Sequence, residues 1–103
     1  MVAGTMAGTI SDDLLLSHFP VNITGHFLLA HELWPLLRPG CRIVSQSSGA
    51  RFFSKPDKVD DINGTDASKF NAFDQYCLSK ASMCLFTQCL NDRIARAGVQ
   101  MVA

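Results

Sequence analysis

Tyr76 and Lys80 are the residues whose types and spacing could do chemistry. Residues four apart on a helix share a face, with Cβ atoms about 5–6 Å from each other, so a phenol there sits beside an ammonium. A phenol with an ordinary pKa near 10 is a poor proton shuttle at neutral pH, and a nearby cation favours its phenolate. Such a pair could act as a general acid and base. Tyr and Lys at this spacing also occur on many solvated helix faces, so the pair alone does not decide between the two readings.

The pair needs a helix, and the pattern provides one over about 71–97, with Gly98 as its C-cap. A second helix is expected over about 21–37, where Ile23, Phe27, Ala30, Trp34 and Leu37 follow helical spacing and Leu28, Leu29, Leu33 and Leu36 fill much of the remaining circumference. Pro20, which lacks an N–H, separates it from a short helix capped by Ser11-Asp12-Asp13. Pro39-Gly40 ends the long helix, and Cys41 to Ser47 reads as a strand running into a Ser/Gly loop. From Gly49 to Lys69 the turn-rich composition predicts a long loop, docked through Phe52 and Phe53. Another strand is expected over 99–103. Strand, loop, helix and strand make a βαβ unit with parallel strands, which places the 103 residues in the α/β class as one domain.

Composition narrows the function classes. Hydrophobic residues make up 48% and charged residues 17%, too apolar for disorder and too interrupted for a membrane span. Lys plus Arg and Asp plus Glu stand at nine each, so no excess positive charge is available for a nucleic acid. Cys41, Cys77, Cys84 and Cys89 contain no C-x-x-C pair and read as small buried apolar side chains in a reducing compartment. His18, His26 and His31 share no metal-binding spacing and are read as structural, His26 as a satisfied core histidine. The N-terminus has no secretory pattern, so an intracellular, cytoplasmic location is expected, and the sequons at Asn22 and Asn63 read as chance matches.

Tyr76-Cys77-Leu78-Ser79-Lys80 resembles the Tyr-x-x-x-Lys hallmark of the short-chain dehydrogenase/reductase family, with Ser before the Lys. Arg42-Ile43-Val44-Ser45-Gln46-Ser47-Ser48-Gly49-Ala50 looks like that family's strand ending at the active-site serine. Val21-Asn22-Ile23-Thr24-Gly25 is similar to its Val-Asn-x-x-Gly helix, and Ala3-Gly4 to the end of its Asn-Asn-Ala-Gly segment, with Val2 in place of the second Asn. The motifs occur in the family's order and span nearly the whole chain. The text between them is most similar to the retinol-dehydrogenase-like and WW-domain-oxidoreductase-like branch.

The resemblance implies an incomplete Rossmann-type, doubly wound parallel sheet and reversible hydride transfer between NAD or NADP and an alcohol or carbonyl, lipophilic substrates among them. It implies Tyr76 as proton donor, Lys80 on the nicotinamide ribose, Ser48 on the substrate oxygen and Asn22 behind a relay water, with Ala3 and Gly4 beside the cofactor. Singly, Ser48 reads equally well as a turn serine and Asn22 as a helix cap or kink residue. No G-x-G-x-x-G turn is present, and the strand starting at Val99 stops before the Pro-Gly that the resemblance implies, so the 103 residues are expected to lack the glycine-rich region and the C-terminal segment and to be inactive alone. An alternative is a non-catalytic module that pairs, as a homo- or hetero-oligomer, with a complete relative through its two apolar helices.

Overall fold

The computed structural model describes residues 20–61, 66, 68 and 71–98. Two helices dominate. The first begins as a π-helical turn, Pro20–Thr24, continues as α1, Gly25–Leu33, and tightens into a 3-10 turn, Trp34–Leu36. The expected long helix is therefore present, with its winding altered at both ends. Pro35 has no N–H to donate into an α-helical ladder, and the chain changes to 3-10 geometry at Trp34, just before it. Pro39 and Gly40 then form a turn closed by Cys41 N–H to the Arg38 carbonyl at 3.1 Å. Gly40 has φ +88°, a left-handed value that side chains disfavour at the third position of such a turn.

The second helix, α2, runs Ala72–Arg96, close to its expected bounds. Asn71 caps its start by accepting the Asp74 N–H on its side chain at 3.0 Å. Gly98, at φ +67°, ends it, and its N–H reaches the Ala95 carbonyl. Between the helices lie two 3-10 turns, Gly49–Phe53 and Pro56–Asp61, the first packed along α2.

The expected sheet is not found. Among the described residues there is no strand, and residues 41–47 carry a lone bridge at Arg42. Burial does alternate there, with Cys41, Ile43, Ser45 and Ser47 half-buried and the residues between them exposed. The period that suggested a strand is real, but a strand also needs a neighbour to complete its hydrogen-bond ladder, and none lies alongside among the described residues. The α/β, doubly wound reading is accordingly replaced by a helical arrangement. The second strand, over 99–103, the short helix after Ser11, and Ala3 and Gly4 lie outside the described residues.

The core is small and sits where α2 meets the first helix. Met83, Ile94, Cys77 and Leu78 bury almost completely, joined by Ile23 and Ala30. Leu78 and Met83, which with Leu85 and Phe86 are expected from the sequence to be exposed after Tyr76, are instead interior. Phe27, placed on the core stripe by its spacing, is instead 57% exposed, and the expected docking residues Phe52 and Phe53 are exposed as well. Arg51 lies over the Phe52 ring at 4.2 Å, and Phe53 tilts toward Phe73 at 6.3 Å. Their connecting segment is held by charge instead: Lys55 pairs with Asp74 at 3.1 Å and Lys58 approaches it at 3.9 Å. All four cysteines are free, and of these Cys77 is buried while Cys84 and Cys89 are exposed, so the small-apolar reading holds for Cys77. Among the described residues no helix is long and apolar enough to cross a membrane.

Candidate functional site

The second turn of α2 is the meeting point of segments far apart in sequence. Its position is set from the cap: Asn71 fixes the first turn, Asp74 holds the two lysines, and Gln75 Nε2 donates to the Asp61 carbonyl at 3.2 Å. Tyr76 and Lys80 follow at the spacing that puts them on one face. The Lys80 ammonium lies 5.8 Å from the centre of the Tyr76 ring, within the range of a cation–π contact.

Lys80 is only 6% exposed. Its Nζ donates to the Gln46 carbonyl at 3.3 Å, and it has no ion pair among the described residues. Burying an ammonium without a carboxylate is costly unless its donors find acceptors. Among the described residues one carbonyl answers one of its three N–H bonds, leaving donors for hydroxyl groups of a ligand.

Ser79 is fully buried beside it. Its hydroxyl accepts from Asn22 Nδ2 at 2.8 Å and donates to the Tyr76 carbonyl at 2.7 Å. On the other side of the turn, Ser47 Oγ donates to the Lys80 carbonyl at 2.7 Å, and the Cys84 thiol donates to Ser47 Oγ at 3.3 Å. The Val-Asn-x-x-Gly helix and the serine segment therefore both dock on the Tyr-x-x-x-Lys turn. Ser48 is engaged locally: its hydroxyl accepts the Ala50 N–H at 3.1 Å and caps the 3-10 turn that packs on α2. That bond uses a lone pair and leaves the hydroxyl proton to donate.

Two participants were not singled out by residue type. Gln46 contributes through its backbone, which no side-chain pattern reveals. Ser47 reads in sequence as one of several serines in a loop. His26, read from the sequence as a satisfied core histidine, is buried as expected one turn after Asn22, but its Nδ1 has no hydrogen-bond partner among the described residues. Burial holds the His26 pKa below the ordinary imidazole value, and the positive charge of Lys80 adds to that effect. The Cys77 thiol is pushed up by burial and by the Asp74 carboxylate.

No family model matches the chain, and no solved structure matches it. Among curated proteins the similarity is to a dehydrogenase, the class that the Tyr76 motif resembles. That relative is human Retinol dehydrogenase 13, 36% identical over 95 residues, which cover 90% of this chain. The chain spans 28% of the length of that relative. At family level the similarity supports the short-chain dehydrogenase/reductase resemblance.

Proposed function

We propose that this chain carries the proton-transfer segment of an NAD(P)-dependent short-chain dehydrogenase/reductase that interconverts an alcohol and a carbonyl. The observation that carries the reading is the buried Lys80 ammonium, beside the Tyr76 ring and with one carbonyl as its hydrogen-bond acceptor among the described residues. Spare donors on a fixed ammonium suit the vicinal hydroxyls of a ribose, so the residues present fit the cofactor. A nicotinamide nucleotide, when bound, supplies or takes up the hydride.

Tyr76 gives a proton to the oxygen of a carbonyl substrate, or takes one from an alcohol, where charge develops in the transition state. A positioned donor of this kind typically contributes about 10²–10⁴ in rate. Lys80 holds the ribose hydroxyls and presents its charge to the phenol. Ser48 donates its remaining proton to the substrate oxygen and orients it. Asn22, fixed through Ser79, holds the relay water behind Lys80. Ala3 and Gly4 belong beside the cofactor in the same reading. The name of the relative points to a lipophilic alcohol as substrate, and the 103 residues are read as part of a domain.

Replacing the matched stretch of Retinol dehydrogenase 13 by residues of this chain tests the reading. Retinol oxidation should persist in the exchanged enzyme and fall sharply on Lys80→Met, with cofactor KM rising. An exchanged enzyme that is active and indifferent to Lys80→Met would refute it.

A second reading, pairing with a complete relative, is favoured by one observation. Leu28, Leu29 and Leu36 are large, apolar and exposed on one helix. On that reading Lys80→Met would leave binding to the relative unchanged, whereas Leu28→Glu would abolish it.

A further inference from the structure

Away from the Tyr76 turn, α1 and the C-terminal half of α2 enclose an open groove of about 780 Å³, within the range of small-molecule sites. Its walls include Phe27, Trp34, Phe86 and Leu90, with Phe27 and Phe86 meeting edge to face at 6.1 Å. Arg93 and Arg96 line the same groove, and among the described residues no carboxylate does. Neither guanidinium has an ion pair among the described residues. The Arg93 and Ala95 carbonyls at this end receive the backbone N–H groups of Ala97 and Gly98. An apolar aromatic floor ending at two unpaired guanidiniums is complementary to a molecule with a hydrocarbon body and an anionic head. The planar fork of Arg matches a carboxylate through paired, charge-assisted hydrogen bonds.

We propose that this groove binds a free long-chain carboxylate, its chain lying over Phe27, Trp34 and Phe86 and its head on Arg93 and Arg96. The site is separate from the proposed chemistry: Arg93 follows Lys80 by about 20 Å of helix rise. It does not depend on Tyr76 or on the family reading. An inorganic anion would leave the aromatic wall uncovered, and a cationic amphiphile would meet the wrong sign of charge.

Trp34 is the single tryptophan of the sequence, so its emission reports directly on the groove. The full chain at submicromolar concentration is titrated with monomeric dodecanoate, with 1-dodecanol and with phosphatidylcholine/phosphatidylserine vesicles. Dodecanoate should give a saturable change in Trp34 emission at one site per chain. Arg93→Gln with Arg96→Gln should weaken it about tenfold or more, with little effect on dodecanol. Both arginines are exposed, and far-UV circular dichroism verifies that the helix survives. Should the double variant lose helix, Arg93→Lys with Arg96→Lys, which keeps the charge but not the fork, should still weaken dodecanoate binding. No saturable response, equal affinity for acid and alcohol, unchanged binding by the arginine variants, a response to vesicles alone, or an emission change that follows association of copies in sedimentation would each overturn the proposal.

Discussion

The Asn22 side chain donates to the Ser79 hydroxyl at 2.8 Å, joining residues 57 apart in sequence, both with no exposed surface. Removing either partner takes this bond from a buried polar atom of the other, while Ser79 keeps its bond to the Tyr76 carbonyl, and costs about 1–3 kcal/mol. Asn22→Ala and Ser79→Ala should each lower stability by that amount. The double variant should cost clearly less than the sum, because both changes break one interaction. Urea unfolding followed by circular dichroism at low concentration checks this, and strict additivity would mean that the bond contributes nothing.

His26 should make stability depend on pH. Its folded-state pKa lies below the unfolded value of 6.5, so the unfolded chain takes up a proton first as pH falls. The contribution is complete above about 6.5, shrinks as pH falls below that value, and levels off once the folded-state pKa is passed, with a slope of at most about 1.4 kcal/mol per pH unit. His26→Gln should flatten that part of the profile. An unchanged slope between about pH 6.5 and 5 would remove His26 from the account.

How much of this was legible in the sequence differs by residue. The α2 bounds were readable because Asn71 and Gly98 have the side chain and the backbone freedom that helix ends require. The Tyr76–Lys80 pair was readable because i, i+4 geometry is local. The strand at 41–47 was not, since alternating burial can arise from packing against one helix, whereas a ladder depends on a neighbour that the segment itself does not specify. Helical spacing placed Phe27 in the core, but spacing gives a face and not what covers it. Docking of the 49–61 segment was expected from two Phe residues and is achieved by Lys55 and Lys58 on Asp74, a contact between segments whose charges looked unremarkable in sequence. The partners of Lys80 and Ser79 are backbone carbonyls and a distant amide, which no local pattern encodes.

Association is the next expectation. Leu28, Leu29, Leu33 and Leu36 are 57%, 45%, 42% and 71% exposed on one helix, and Leu85 is 63% exposed on the other. At about 25 cal/mol per Å² of apolar surface, such a face favours association. Sedimentation velocity should show species larger than one chain, growing with concentration, and Leu28→Glu with Leu36→Glu should shift them toward the single chain. A monodisperse, cooperatively melting monomer at high concentration would contradict this.

The central claim is that Tyr76 transfers the proton in an alcohol–carbonyl interconversion. Tyr76→Phe removes the hydroxyl while keeping the ring that faces Lys80, so fold and packing should survive. The decisive measurement is the kcat for retinol oxidation by Retinol dehydrogenase 13 carrying this chain's matched residues, with Tyr76 and with Phe in its place. A fall of about 10²–10⁴, with cofactor binding retained, is the predicted result, and an active exchanged enzyme whose kcat is unchanged by Tyr76→Phe would contradict it.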